Sequence, residues 1–281
     1  MPTFESVLKA SEKEARRLKK EASAVKLLML HFSDLEPTEL YLKFHEEMSE
    51  ISYQNFLKGL DLYLFHNKPV QYIIGYVYFY GYKFKVDEGV LIPRFETEEL
   101  VANVLIQYDE LFQKAHIKLV DVGTGSGCLA IALKKEEPNF EVFATDISDK
   151  ALEIAKTNAE ELKAEITFLQ GDMLSPLKGM KFDILVSNPP YIPQNEVVEE
   201  IIHENEPHVA LYGGIDGLKF YEIILSQAKD YLNYPSILAF EHGFDKKEAI
   251  SNIARAFFPN AKVFTLQDMQ NKDRMTFVIN S

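Results

Sequence analysis

Cysteine is almost missing from this chain. One residue of 281, Cys128, carries a thiol, which excludes an internal disulfide and the cysteine-rich zinc sites. Basic residues are also short, 30 against 43 acidic ones, for a formal net charge of -13. A protein that holds nucleic acid gains affinity by presenting Lys and Arg to phosphates, so this balance points to a neutral or basic partner unless the charge is segregated between faces. No run of about 18 apolar residues occurs, which argues against a membrane-spanning helix. The opening Met-Pro-Thr-Phe-Glu lacks the basic and apolar regions of a signal peptide, and a cytoplasmic location is expected. Repeats and low-complexity segments are also missing. What is present, 47% hydrophobic and 26% charged residues, is the make-up of a globular chain. The length suits about two domains of roughly 100 to 200 residues each.

Residues 3 to 66 read as helices. Proline and glycine are sparse, apolar residues recur at three- and four-residue spacing (Val25, Leu28, Met29; Leu57, Leu60, Leu64), and Ser33, Asp34 and Thr38 offer N-caps. The charge run Glu12 to Lys20 reads as a solvated helix face. From Gln71 to Val86 the chain is rich in Tyr, Ile, Val and Phe and is punctuated by Gly75 and Gly81, which predicts paired strands and a turn. A helix is expected over Thr97 to Gln107, with Thr97 as its cap. Beyond residue 117, buried strands (Ile117 to Val122, Glu141 to Thr145, Ile166 to Leu169, Phe182 to Val186, Ser236 to Phe240) alternate with helical stretches. That alternation predicts a parallel sheet covered on both faces. Lys262 to Leu266 and Arg274 to Ile279 read as a final pair of strands.

Asp121-Val-Gly-Thr-Gly-Ser-Gly127 comes after the first of these strands and opens a helix, so Gly123, Gly125 and Gly127 let the backbone come close to a ligand at a helix N-terminus. A dinucleotide fingerprint needs its third glycine at position 128, where Cys128 stands. Gly-x-Gly-x-Gly points instead to S-adenosylmethionine (SAM). Asp146 ends the next strand, where a carboxylate can accept both hydroxyls of a ribose; its alternative is an N-cap for the helix starting near Lys150. After the third strand, Asp172 can accept from an adenine amino group while Met173 covers the ring, or Gly171-Asp172 can simply form a turn.

Ser187-Asn-Pro-Pro-Tyr-Ile192 ends the fourth strand at the same edge. Proline lacks an N–H and fixes φ, so the pair makes a stiff loop with carbonyls and no donors, which suits an NH2 group. The Asn188 side-chain oxygen and the Pro189 carbonyl, each accepting one NH2 hydrogen, would aim the nitrogen lone pair at a methyl donor while Tyr191 walls the planar group. These residues alone leave open which NH2 group is meant, that of glutamine, adenine or guanine. The plainer alternative is a stiff strand-to-loop turn.

The order of segments is more specific. Gly75 to Phe84, Gly89-Val-Leu-Ile-Pro-Arg-Phe-Glu-Thr-Glu-Glu-Leu100, the glycine loop, Asn188-Pro-Pro-Tyr191 and Glu206-Pro-His-Val-Ala-Leu-Tyr-Gly-Gly-Ile-Asp-Gly-Leu218 together closely resemble the HemK/PrmC family, over nearly the whole chain. The resemblance implies an α/β fold. A Rossmann-like SAM-dependent methyltransferase domain (93–281, with a mostly parallel seven-stranded sheet) would be joined by a β-hairpin linker (69–92) to a small N-terminal helical domain that binds substrate (1–68). It implies transfer to the side-chain amide nitrogen of the Gly-Gly-Gln glutamine of class I peptide chain release factors, which acts on translation termination. The product would be S-adenosylhomocysteine, with no metal, no membrane and no direct nucleic-acid contact, and the protein is expected to act as a monomer. By the same resemblance, catalysis falls to Asn188, Pro189 and Tyr191, and substrate binding to these with Pro190. Cofactor binding falls to Phe95, Thr97, Gly123, Thr124, Gly125, Ser126, Gly127, Asp146, Ile147, Asp172, Met173 and Asn188. Met173 stands where some relatives have an aromatic ring. Phe95 and Thr97 are expected beside the methionine end of SAM, and Arg94 is expected to pair with Glu96 at the helix start. His242, at an expected apolar position, His208 and Cys128 read as packing or surface residues, although a helix N-terminus can lower a thiol pKa. Two competing functions use the same features: an adenine or guanine amino methyltransferase taking a flipped base, and a SAM-binding regulatory protein without turnover.

Overall fold

The computed structural model describes all 281 residues. In chain order the elements are α1 (Phe4–Arg17), α2 (Ala22–Ser33), α3 (Pro37–Leu42), α4 (Glu50–Phe65), α5 (Val70–Ile74), β1 (Tyr76–Phe79), β2 (Tyr82–Lys85), α6 (Phe95–Phe112), β3 (Ile117–Val122), α7 (Cys128–Glu136), β4 (Phe140–Asp146), α8 (Asp149–Leu162), β5 (Ile166–Gln170), β6 (Phe182–Ser187), α9 (Glu200–Asn205), α10 (His208–Leu211), α11 (Lys219–Gln227), β7 (Leu232–Glu241), α12 (Lys247–Phe257), β8 (Lys262–Gln267) and β9 (Asp273–Asn280). No helix is long and apolar enough to cross a membrane. The chain divides into two compact units, Met1–Tyr76 with Val198–Asn205, and Val77–Val197 with Glu206–Ser281.

The first unit is helical. Thr3 and Ser49 cap α1 and α4 by accepting from Ser6 and Ser52 N–H groups. The apolar stripes meet in a core of Phe4, Val25, Leu28, Met29, Leu40 and Phe56. The caps expected at Ser33, Asp34 and Thr38 fall elsewhere. Ser33 is the last residue of α2, Asp34 turns left-handed behind it at φ 51, and Glu36 caps α3, its N–H donating to the Glu39 carboxylate. On α4 the buried face is Phe56, Gly59, Tyr63 and Leu64, the 3.6-residue repeat running one residue ahead of Leu57, which is exposed. The charge run of α1 lies in water, with Arg16–Glu12 and Arg17–Glu14 pairs on the surface. Short helix α9 also belongs to this unit; there the Asn67 amide donates to Glu204 and the Asn205 amide donates to the Asn67 carbonyl.

Residues 70–74 form a helical turn rather than a strand. Pro69 sets the entry, and Gly75, at φ 80, closes it with an N–H donated to the Gln71 carbonyl. The β1–β2 hairpin comes next, and its Phe79 and Phe84 are buried in the core of the second unit.

That unit is a seven-stranded sheet in the order β5-β4-β3-β6-β7-β9-β8, parallel except for β9, which runs antiparallel to both neighbours. The strands that read as near-continuous apolar runs lie in its middle, as a sheet buried on both faces requires. One face packs on α6 and α7 through Leu100, Val104, Ile131, Leu133, Ile184 and Phe277. The other packs on α11 and α12 through Tyr221, Ile224, Leu225, Ile250 and Ala254. From β3 the chain moves outward to β4 and β5, then returns to place β6 on the other side of β3. Strand order therefore reverses between β3 and β6, and a ligand crevice is expected outside their carboxyl ends.

Candidate active site

The crevice is there. A cavity of about 290 Å3 is lined by the loop after β3, the ends of β4, β5 and β6, the segment before α6, and residues of α10 and α11. A wider, open depression of about 940 Å3 lies at the amino ends of β4 and β5, on the wrong edge of the sheet for that rule.

The loop after β3 is fixed by its own polar groups. Gly123 and Thr124 donate their N–H groups to the Thr145 carbonyl, at 2.9 Å each, and the Thr124 hydroxyl donates to the Asp121 carboxylate at 2.6 Å. Gly123, Gly125 and Gly127 all have positive φ (76, 56 and 81), the left-handed region that glycine tolerates. Asp146 does two jobs at once. Its Oδ1 accepts from the Ser148 N–H and its Oδ2 from the Gly125 N–H, both at 2.9 Å, which couples the end of β4 to the glycine loop. The cap of α8 is Ser148, not Asp146, so the Asp146 carboxylate is free of that duty. Burial pushes its pKa up, opposed by the Ser148 and Gly125 N–H groups. Burial likewise pushes Asp121 up to about 7, with the Thr124 hydroxyl opposing and the Asp146 charge adding to the rise.

The Asn188 loop is held both by the sheet and by segments outside it. Ser187 donates its hydroxyl to the Val122 carbonyl at 2.6 Å, and the Asn188 amide NH2 donates to the Thr97 hydroxyl at 3.2 Å. Ile192 donates its N–H to the Leu211 carbonyl and its own carbonyl accepts from Gly213. The two glycines facing this loop are there for want of room: a Cβ at Gly213 would strike the Pro190 carbonyl oxygen, and one at Gly217 the Tyr191 carbonyl oxygen.

Thr97, Gly123, Thr124, Gly125, Ser126, Asp146, Ile147, Asp172, Met173, Asn188 and Pro190 all line the cavity. Gly127 does not; it supplies the left-handed turn at the start of α7. Pro189 lies outside the lining as well, and Tyr191 packs against the α11 side of the core, where burial pushes its phenol up to about 12. Phe95 is the first residue of α6, half-exposed and off the cavity wall.

Thr97 is not a cap. Arg94 takes the extended cap conformation, and Thr97, in the first turn, turns its hydroxyl to Asn188. Arg94 does not pair with Glu96. It pairs with the buried Glu206, whose carboxylate also accepts the Ile92 N–H, because Glu206 is the anion inside the protein while Glu96 stays half-exposed. Cys128 lies against the cavity, but burial pushes its thiol up to about 12, overriding any effect of the helix N-terminus. His242 is fully buried and neutral-leaning, with its ring nitrogens within 2.9 Å of the Thr276 hydroxyl and the Gly243 carbonyl. Asp121, Val209, Ala210 and Phe220 also line the cavity and had no expected role. An aspartate inside an apolar strand, Leu-Val-Asp-Val, was the signal available for Asp121.

A glycine loop, an acidic strand end and an Asn-Pro-Pro-Tyr loop at one carboxyl edge of this sheet define a Rossmann-like methyltransferase. Comparison with known families agrees. Residues 100–215 match the model of the methyltransferase small domain, and residues 6–75 match that of the PrmC N-terminal domain. Among solved structures, a methyltransferase from Pyrococcus furiosus superposes at a TM-score of 0.53 over 81% of this chain and 96% of its own, at 18% identity. The Thermus thermophilus 16S rRNA N2 G1207 methyltransferase does so at 0.52, over 73% of this chain and 50% of its own, at 14% identity; both show the fold alone. Sequence relatives go further. The release factor glutamine methyltransferase of Bacillus cereus is 38% identical over 92% of each chain. That of Bacillus subtilis is 38% identical over 98% of this chain and 96% of its own, and that of Staphylococcus aureus 37% over 91% of each. The chain belongs to the release factor glutamine methyltransferases.

Proposed function

We propose that this enzyme transfers a methyl group from SAM to the side-chain amide nitrogen of the Gly-Gly-Gln glutamine in class I peptide chain release factors, leaving S-adenosylhomocysteine. The observation that carries the reading is the Asn188 amide. Its NH2 donates to the Thr97 hydroxyl and the residue lines the cavity, so Oδ1 is left as its acceptor for a substrate, next to a loop whose prolines offer no N–H.

The cavity suits SAM part by part. The Asp146 carboxylate, with lone pairs to spare beyond two backbone N–H groups, fits a ribose diol. Ile147 and Met173 fit the faces of adenine, and the glycine loop leaves room for close approach of the backbone. When bound there, SAM supplies an electrophilic methyl on a cationic sulfur. An amide nitrogen is a weak nucleophile because its lone pair is delocalised. Asn188 Oδ1 is assigned one N–H and, although Pro189 is not itself a lining residue, its carbonyl is assigned the other; together they would hold that nitrogen with its lone pair toward the methyl and stabilise the positive charge growing on it. Tyr191, with its phenol kept neutral, backs the loop. The nitrogen gives up one proton to water as the N–C bond forms.

The helical residues 1–68 are assigned to holding the release factor away from its glutamine loop, 69–92 to joining and 93–281 to transfer. The match of residues 6–75 to the PrmC N-terminal domain supports a separate helical domain at the amino end, though it runs past residue 68. The acidic balance of the chain fits a protein rather than a nucleic-acid partner, and a monomer acting in the cytoplasm is the proposed state. The test is incubation with methyl-labelled SAM and, separately, a class I release factor, the same factor with its Gly-Gly-Gln glutamine replaced, and bulk RNA. Label on the intact factor that disappears with the glutamine supports the reading; label on RNA alone overturns it in favour of a base amino group.

A further inference from the structure

Glu241 ends β7 one residue beyond the Phe240–Ser187 pair, just as Asn188 comes directly after Ser187 on β6. It is 1% exposed, and its Oε2 is buried without a hydrogen-bond partner. Its backbone neighbours do not call for a carboxylate: Ile237 to Phe240 before it are wholly apolar and buried, and the Tyr221 hydroxyl binds only its backbone carbonyl, at 2.7 Å; Arg274 is the cation that favours its ionised form. What the carboxyl faces is the Thr97 hydroxyl and the Asn188 amide. We propose that Glu241 is the positioning residue that fixes which way round the Asn188 amide sits, and thereby makes the site select an NH2 group. The inference rests on the transfer to an amide nitrogen proposed above.

Donors and acceptors decide the orientation. A carboxylate only accepts, a hydroxyl does both, and an asparagine amide has donors at one end and an acceptor at the other. With Glu241 accepting behind it and Thr97 Oγ1 at 3.2 Å, Asn188 commits its NH2 to them and keeps its oxygen for a substrate. Replaced by glutamine, position 241 can offer an NH2 of its own. Asn188 can then rotate to accept it, and so presents NH2 to the cavity, where it opposes the NH2 of the substrate but welcomes a carboxylate. Burial pushes Glu241 up to about 7; the Thr97 hydroxyl, Arg274 and Asn188 hold it down, and Glu96 adds to the rise. An ionisable group kept in so unfavourable a place is a common mark of a functional residue.

The experiment compares wild type, Glu241→Gln and Glu241→Asp. It measures calorimetric binding of S-adenosylhomocysteine, kcat/KM with a class I release factor, and inhibition by the same factor carrying Gln→Glu in Gly-Gly-Gln. For Glu241→Gln the expected results are S-adenosylhomocysteine affinity within about twofold of wild type, at least about a tenfold loss in kcat/KM, and several-fold tighter inhibition by the Gln→Glu factor. Glu241→Asp, still an acceptor, keeps the wild-type rejection of that factor, and it carries the test if the Gln variant does not fold. Full activity in Glu241→Gln overturns the proposal. So does lost activity without tighter inhibition, or an Asp variant that welcomes the Gln→Glu factor, since either means that Glu241 only fills space. A wild-type enzyme that transfers nothing to the factor defeats the underlying reading instead.

Discussion

Replacing Asp146 by asparagine puts an NH2 where an oxygen stood and removes one charge, and both changes fall on atoms that are already engaged. Each carboxylate oxygen accepts a backbone N–H group, from Ser148 and Gly125 respectively, at 2.9 Å. Asparagine keeps one oxygen, so whichever way its amide turns, an NH2 meets one of those N–H groups. The free protein loses one backbone N–H bond, and the complex also loses a charge-assisted bond to one ribose hydroxyl, worth about 1.5–3 kcal/mol. Part of the cost to folding is returned, because burial already disfavours the ionised Asp146. Ligand affinity gains no such relief, since the ribose needs the acceptor. At about 1.4 kcal/mol per tenfold change, SAM and S-adenosylhomocysteine should bind the variant roughly 10- to 100-fold more weakly. Calorimetric titration with S-adenosylhomocysteine reads this directly. Affinity within twofold of wild type would mean that Asp146 serves only to tie β4 to the glycine loop and that the ribose lies elsewhere.

Other variants probe the second half of the site and its supports. Asn188→Ala should cost about 2 kcal/mol of transition-state stabilisation, roughly 30-fold in kcat measured at saturating SAM. Gly213→Ala puts a methyl group against the Pro190 carbonyl and should uncouple the two functions, with cofactor still bound and transfer lost, as single-turnover kinetics would show. Glu206→Gln breaks the pair with Arg94, which is one-third exposed, and should lower stability by about 2 kcal/mol in urea unfolding. Glu241→Gln should do the opposite at alkaline pH. Its carboxyl titrates at about 7 in the folded protein against 4.5 normally, so the wild type is favoured by that group at low pH and loses about 3 kcal/mol as pH rises through 7. The variant loses nothing, and thermal melts should place it above wild type at pH 8 but not at pH 4.

Much of the fold and site was legible in the chain. The sheet could be read because its parallel strands are almost unbroken apolar runs: Leu119, Val120 and Val122, or Ile184, Leu185 and Val186, need no partner to announce burial. The glycine loop, Asp146 and Asn188 could be read because each carries its role in a local pattern at a strand end. What escaped was set by distance along the chain. Arg94 sits two residues from Glu96 but finds Glu206, 112 residues away, and nothing local tells which carboxylate the fold will bury beside it. Glu241 is likewise ordinary in sequence; only the pairing of β6 with β7 brings it beside Asn188. The caps near residue 35 were missed for a smaller reason. Ser, Asp and Thr all suit a helix start, and it was Pro37 that fixed where α3 begins.

The central claim is that one nitrogen is held and methylated. The most direct test is tandem mass spectrometry of a class I release factor after reaction with this enzyme and SAM carrying a deuterated methyl. The account predicts a single deuterated methyl on the side-chain nitrogen of the Gly-Gly-Gln glutamine, absent from the Asn188→Ala reaction. A methyl on any other residue, or on that glutamine at wild-type rate without the Asn188 side chain, would contradict it.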